Sequence, residues 1–409
     1  MKILKKWKKQ RKINQEIKFF GPAKSFQINK VSLDPKELEN EPSVEICHTE
    51  VIAPSADLEN AQSGLDNLLL SPSIREQVLN NLLQPQHRSL FKVHSPTIIV
   101  HIFPHGGTRH FILTESGTLL EENAFWLKRF NFIEKNATGY SLNAFFKEEH
   151  LIKSDRSFAW CPDTPNFSHF LVDSIAPLAF FQKKSPELNT LPLPQFAPSI
   201  SWQDEYLQHF GEKCYFLRDS QSEKPTSFII FKPKSLVLPV ISCTMNRSLA
   251  IREFIRDKWN APFADNSVKR IPIFLWRNDE RSARVRNAQE IQEMVMRLGG
   301  FTVDPSKLNA QQKLQLFNLP GIFIGEGSGT TNVSIFTNPN ARLIALGDPL
   351  AWKNLSFIQG GWPYFHLMSS RLDIVIGQQT KKLKNSPLAS NIFDCQTIEK
   401  IILKWTNNF

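Results

Sequence analysis

The sequence predicts an α/β fold of two domains behind an N-terminal extension, and three observations predict it. First, 409 residues are more than one ordinary core organises, and such a chain divides into two domains of typical size plus extensions. Second, the texture changes near Ser89, where polar, irregular sequence gives way to short apolar, β-branched runs. Third, strand-like and helix-like segments alternate regularly from Ile271 onward. That rhythm is the pattern of a parallel sheet covered by helices.

Taken in order, residues 1–85 read as a basic and polar extension with one helical stretch, Leu65 to Leu83, whose Leu68, Leu69, Ile74, Val78 and Leu82 fall near helical spacing. Residues 86–240 read as a first α/β domain. In it "LFKVHSPTIIVHIF" and "RHFILTESGTLLEENAFW" supply strands, and the turns fall at Gly106–Gly107 and Ser116–Gly117. A helix follows over Phe167–Lys184, and a Pro-rich connection leads to "SLVLPVIS". Residues 241–390 read as a second domain with strands at Ile271–Trp276, Phe301–Asp304, Gly321–Gly325 and Arg342–Leu346. Helices over Ala288–Leu298, Asn309–Phe317 and Thr330–Phe336 separate them. Residues 391–409 hold a closing helix, Thr397–Trp405.

Composition narrows the function classes. Hydrophobic residues at 41% and charged residues at 22% are ordinary for a globular chain. The formal charge is +10, from 49 basic and 39 acidic residues, and Lys2, Lys5, Lys6, Lys8, Lys9, Arg11 and Lys12 concentrate much of it at the start. Such a run reads first as a solvated tail. It also suits peripheral contact with an anionic membrane, at roughly 1 kcal/mol per basic residue near the lipid. No nucleic-acid-binding signature accompanies it, so a nucleic acid partner is not expected. No run approaches the roughly 18 apolar residues of a membrane span, and the positive start is not followed by a signal-peptide apolar core. The five cysteines, Cys47, Cys161, Cys214, Cys243 and Cys395, are widely spaced and form no CxxC. These features predict free thiols in a reducing compartment, and a cytoplasmic protein. The Asn-x-Ser/Thr triplets at Asn136, Asn166, Asn246, Asn332 and Asn354 are then chance or serve other roles.

Three segments carry residues fit for chemistry. In "GIFIGEGSGTTNVSIF" an apolar strand enters Gly325, Gly327 and Gly329 before a Thr-capped helix. Glycines allow close backbone approach, and the free N–H groups at a helix start attract an anion such as a diphosphate. Alone, the pattern fits an ordinary strand–turn–helix link equally well. In "FLWRNDERSARVRNAQEI" Arg277, Arg281, Arg284 and Arg286 follow a strand end, the ligand side of a parallel sheet. Position favours Arg277 and Arg284 for phosphate, while Arg281 and Arg286 read as solvated. In "NFSHFLVDSIAPL" His169 and Asp173 share a helix face, as a general base with its partner or as a buried structural pair. His94, His101, His105 and His110 lack the spacing of a metal site and read as structural or surface residues.

In this order and spacing, the three segments resemble glycosyltransferase family 61. The matching residues are Asn166, Phe167, His169, Asp173 and Pro177 in the first motif, and Arg277, Arg284 and Asn287 in the second. In the third, Gln311 and Gln312 precede the strand, and the loop reads Glu326-Gly327-Ser328-Gly329-Thr330-Thr331-Asn332. "ILTESGTLLEE" is similar to the strand pair ahead of the catalytic segment in bacterial members, and the resemblance covers roughly residues 88–380. It implies a GT-B-like fold, two Rossmann-like domains facing a cleft, and metal-independent inversion at the sugar's anomeric carbon. It also implies a nucleotide-sugar donor, UDP-sugar before CMP-sugar, and a glycan or lipid-linked glycan acceptor, as in capsular polysaccharide synthesis. Asp173 or His169 would be the base. Arg277, Arg284, Asn287 and the loop Glu326–Asn332 would hold the nucleotide. Two positions depart from the family loop: Glu326 replaces its His and Thr330 its Leu. A carboxylate beside a diphosphate is repulsive, so Glu326 either turns away or marks a different donor or an inactive relative.

Overall fold

The computed structural model describes residues 23–52, 86–102, 108–121, 132–162, 164, 166–197, 200–216, 227–242, 244–259, 270–277, 284–326, 336–338, 340–347, 372–382 and 389–407. The chain divides into two compact units. One comprises residues 1–52 and 87–242, the other residues 53–86 and 243–409. The basic run at the start, the Leu65–Leu83 stretch, Gly106–Gly107, His105, Arg281 and Cys243 lie outside the described residues.

The first unit is built from stacked sheets. A six-stranded mixed sheet runs in the order Leu151–Lys153, Ser227–Lys232, Thr97–Ile102, Thr108–Leu113, Thr118–Leu119, Lys30–Val31. A four-stranded sheet runs Ser157–Ala159, Ser235–Ile241, Gln86–His94, Val44–Ile52. The six-stranded sheet is buried on both faces, which explains why "TIIVHI" reads as a continuous apolar run with little alternation. Ile98, Val100, Ile229 and Phe231 meet Phe91, Val93, Leu236 and Leu238 of the four-stranded sheet in one core. On the other face Ile99, Phe111, Phe228 and Ile230 meet Ile28, Leu142 and Phe145. These last three belong to a three-stranded antiparallel sheet, Ala23–Ile28, Tyr140–Phe145, Ile133–Lys135.

Two expectations from sequence are corrected here. Residues 23–52 are not an extension: Ala23–Ile28 pairs in register with Tyr140–Phe145, and Val44–Ile52 edges the four-stranded sheet. The first unit also lacks the all-parallel order of a Rossmann sheet, because its long strands pair antiparallel, as Gln86–His94 does with Ser235–Ile241 and Thr97–Ile102 with both its neighbours. Gln86–His94 and Thr97–Ile102 are not a hairpin. Ser95, in the left-handed region at φ 48°, hands the chain from one sheet to the other. The turn at Ser116–Gly117 does join antiparallel strands. Gly117 takes φ 86° there, and a Cβ at that position would lie 2.8 Å from the Gln27 carbonyl oxygen.

The second unit holds a five-stranded sheet, all parallel: β1 (Pro272–Leu275), β2 (Phe301–Val303), β3 (Ile322–Glu326), β4 (Arg342–Gly347) and β5 (Leu372–Ile376). The spatial order is β2-β1-β3-β4-β5. Helices Ala288–Arg297 and Cys395–Asn407 cover one face through Ile291, Met294, Val295, Ile398, Ile402 and Trp405. Helix Ala310–Phe317 brings Phe317 against Phe323, whose alternate position faces away from that core. With both faces buried, β1, β3 and β4 are apolar along their length. A 16-residue helix, Thr244–Trp259, precedes the sheet. Its buried Arg252 donates to the Thr337 carbonyl at 2.7 Å and Arg256 to that of Phe336 at 3.3 Å, and burial pulls both guanidinium pKa values down to about 10.

Local sequence fixes the ends of these elements. Helix Ala288–Arg297 stops in a Schellman turn. Gly299, at φ 80°, donates to the Met296 carbonyl at 3.0 Å, and Gly300 donates to that of Val295 at 2.9 Å. A capping box opens helix Ala310–Phe317: Asn309 Oδ1 accepts from the Gln312 N–H at 2.8 Å, and Gln312 Oε1 accepts from the Asn309 N–H at 3.0 Å. No helix among the described residues is long and apolar enough to cross a membrane. Cys47, Cys161, Cys214 and Cys395 are free thiols.

A Cβ on Gly300 would fall 2.0 Å from the Pro272 carbonyl oxygen, so the chain passes β1 at a distance only glycine allows. Gly300→Ala is therefore expected to lower the unfolding free energy by at least about 2 kcal/mol, measured by urea denaturation followed by circular dichroism.

Candidate functional site

The helix that carries His169 and Asp173 is built in three contiguous pieces: an α turn at Phe167–His169, a π turn at Phe170–Ile175 and an α-helix at Ala176–Gln182. Asn166 starts it, accepting from the His169 N–H at 3.2 Å through its side chain and from the Phe170 N–H at 2.8 Å through its carbonyl. The one turn that widens is the turn with Asp173: the Ala176 N–H reaches back to the Leu171 carbonyl, five residues away. Phe170, Leu171, Val172, Ser174 and Ile175 are buried, while Asp173 stays at the surface. π turns inside α-helices occur often at functional sites.

His169 Nδ1 lies 2.8 Å from Asp173 Oδ2, with the side chains 67% and 38% exposed. The pair is thus not the buried structural contact that the sequence left open. The carboxylate holds the ring through Nδ1. Packing fixes the helix beneath it. Phe167 and Phe170 meet Trp202 edge-on at 5.2 Å, and Ser174 Oγ donates to the Pro162 carbonyl at 2.5 Å. Farther along the same chain segment, Lys184 reaches Glu50 at 2.7 Å and Arg88 lies over the Phe180 ring at 4.3 Å.

Arg109, on the Thr108–Leu113 strand, belongs to this neighbourhood and was given no role by sequence. Burial lowers its pKa to about 10, and the negative charge of Asp173 acts in the opposite direction. Arg109 also pairs with Glu121. The only sequence signal was a cation on a strand otherwise reading as core. Of the neighbouring histidines, His101 is buried and stacks on Phe228 at 4.8 Å. His110 meets Trp160 edge-on at 5.1 Å, and His94 lies 3.5 Å from Glu45.

In the second unit the arginine segment and the glycine strand meet at one sheet edge. Leu275 at the end of β1 is in register with Gly325 of β3, so the chain that leaves β1 through Arg277 and the end of β3 at Glu326 lie at the same end of the sheet. In the order β2-β1-β3 the chain leaves β1 toward one edge of the sheet and β3 toward the other. The topological switch point therefore lies between β1 and β3, where open α/β sheets bind ligands. Arg284 Nη1 donates to Glu326 Oε1 at 2.6 Å, with the side chains 24% and 20% exposed. Backbone contacts hold that arginine's segment: the Asn391 N–H donates to the Arg284 carbonyl at 2.8 Å, and the Arg286 N–H to the Asn391 carbonyl at 2.9 Å.

Asn287, expected among the nucleotide contacts, is 8% exposed. Its Nδ2 donates to the Phe393 carbonyl at 2.8 Å while its Oδ1 accepts from the Phe393 N–H at 3.0 Å. Both ends of the amide are thus engaged by one backbone residue, which makes Asn287 a clasp that locks the arginine segment to the chain ahead of the last helix. Gly327, Ser328, Gly329, Thr330, Thr331 and Asn332 lie outside the described residues.

No protein-family model matches this sequence, and no curated protein matches it.

Removing the clasp leaves a buried N–H and a buried carbonyl without their partner. Asn287→Ala is expected to cost about 2 kcal/mol of stability, read as a lower urea midpoint.

Proposed function

We propose that the protein is an inverting glycosyltransferase that moves a sugar from a nucleotide-sugar donor to a glycan or lipid-linked glycan acceptor. The observation that carries the reading is the shared end of β1 and β3 in the second unit, where Arg277 follows β1 and Arg284 contacts Glu326 at the end of β3. Arginine forks suit phosphate oxygens, and a leaving nucleotide needs fixed positive charge as its bond to the sugar breaks.

In this reading the acceptor hydroxyl attacks the anomeric carbon from the face opposite the nucleotide. The carbon–oxygen bond to the phosphate breaks, and the electron pair leaves with the nucleotide. Asp173 takes the hydroxyl proton, and His169, 2.8 Å away, orients the carboxylate or contacts sugar. The roles of the two can be exchanged without changing the balance. The arginines neutralise the departing phosphate, so the chemistry proceeds without an obligatory metal.

A second reading has its own observation. The Arg284–Glu326 pair places a carboxylate where phosphate would go, as expected of a relative that binds nucleotides or sugars without turnover.

A panel of UDP-, GDP-, dTDP- and CMP-sugars separates the readings. A transferase shows a donor-dependent rise in melting temperature and acceptor-dependent release of free nucleotide that persists in EDTA. An inactive binder shows the melting shift alone, and neither response from any donor overturns both readings. For an active donor, Asp173→Asn should lower kcat by about 10²–10⁴ with donor Kd nearly unchanged, whereas Arg277→Ala should raise donor Kd. Normal turnover in Asp173→Asn moves the base to His169, a choice that His169→Ala then tests.

A further inference from the structure

In the first unit three lysines come together where two facing sheets end. Lys153 and Lys232 are register partners on neighbouring parallel strands of the six-stranded sheet. Side chains two apart along a strand share a face. Lys153 follows Leu151 and Lys232 follows Ile230 at that spacing, and both apolar residues pack in the layer between the six-stranded and three-stranded sheets. Lys24 stands on the three-stranded sheet, two residues ahead of Phe26 and four ahead of Ile28, which belong to the same layer. Its ammonium group lies 5.4 Å from the centre of the Phe26 ring. At this end of the layer the apolar rows of both sheets thus finish in lysine.

Like charges at adjacent strand positions are destabilising, so the arrangement does not serve the stability of the fold. Burial, and then the charges of Lys24 and Lys153, push the pKa of Lys232 down. Of the nearby carboxylates, Glu115 acts on Lys232 in the opposite direction, and Glu149 is engaged by Lys147 and His150 at 3.4 and 3.7 Å. Among the described residues no carboxylate stands within ion-pair distance of the three ammonium groups. Lys24 and Lys153 are exposed and Lys232 is half-buried.

The sequence leading into Lys24 says what such a patch faces. It carries seven basic residues among its first twelve, and Trp7, Phe19 and Phe20 accompany them. An array of lysines suits a surface of many anions better than a single phosphate, which arginine forks recognise in a fixed geometry. Aromatic residues near basic ones favour the boundary between lipid and water. We propose that Lys24, Lys153 and Lys232 dock the first unit on the anionic phospholipid surface of a membrane, together with the basic run that precedes Lys24. The inference goes beyond the glycosyltransferase reading and does not depend on it, since binding to lipid vesicles needs neither donor nor acceptor.

Co-sedimentation of the full chain with vesicles is the test. The wild type should sediment with mixed phosphatidylglycerol and phosphatidylcholine vesicles but not with phosphatidylcholine alone, and added salt should release it. Lys24→Gln, Lys153→Gln and Lys232→Gln combined, with the basic run intact, should lower the partition coefficient about fivefold per lysine. Arginine at the same three positions should keep it within about twofold. A control of equal net charge, Lys258→Gln, Lys307→Gln and Lys400→Gln at exposed positions of the second unit, should lose less than about twofold. In the wild type, anionic vesicles should protect Lys24, Lys153 and Lys232 from acetylation more than Lys258, Lys307 and Lys400, a measurement that requires no variant to fold. Unchanged partitioning in a folded glutamine variant, or no selective protection in the wild type, overturns the proposal. An equal loss in the control does so too, because the effect is then one of net charge. Failure to sediment with anionic vesicles, with inorganic phosphate or RNA bound at the lysines or with nothing bound, also overturns it.

Discussion

The second unit depends on one constraint: β1 and β3 lie side by side in a parallel sheet although β2 separates them in sequence. Leu275 and Gly325 are in register, so whatever follows each strand must emerge at the same edge. The connections then depart in opposite directions, and the backbone between them opens into a crevice. This placement brings Arg284 to Glu326 across 42 positions of sequence. It owes nothing to those two residues, because the apolar faces of the strands and the helices that cover them set the register. The ion pair occupies an edge that packing elsewhere has already formed.

In the first unit the corresponding constraint is the double burial of the six-stranded sheet. With cores on both faces, that sheet gives a rigid base, and the four-stranded sheet packs on it with helix Ala176–Gln182 lying against the Ser235–Ile241 strand. The helix enters through a π turn, in which every residue but Asp173 turns inward. A wide turn gives up regular α-helical bonding, and here it buries Leu171, Val172, Ser174 and Ile175 while Asp173 stays beside His169. A regular α-helix would have to satisfy both demands with one fixed angular spacing.

Legibility followed the range of the interactions concerned. Strands β1, β3 and β4 could be read because burial on two faces makes them apolar runs, and the His169–Asp173 contact because four residues on a helix is a local relation. Helix Thr244–Trp259 was not read, because Arg252 and Arg256 interrupt its apolar positions. Their reason for being there is a pair of carbonyls 85 and 80 residues away. Residues 23–28 looked like a tail because only Ile28 of that strand is buried, and its partner strand begins more than a hundred residues later. Asn287 has the same explanation: its amide suits a phosphate as well as it suits the Phe393 backbone, and only the fold chooses between them. The antiparallel pairing of the first unit was hidden because strand order is a property of partners, which periodicity along one strand does not encode.

The two charged pairs differ in a way that matches the work proposed for each. A group that moves a proton must exchange it with solvent or substrate, and His169 and Asp173 are correspondingly open, at 67% and 38% exposure. A group that recognises charge gains from a fixed position and weak screening, and Arg284 and Glu326 are held by backbone on both sides and mostly shielded. The same shielding makes the sign of each charge count. In water a carboxylate beside an arginine site is a small perturbation. At a half-buried strand end, the pair is screened far less.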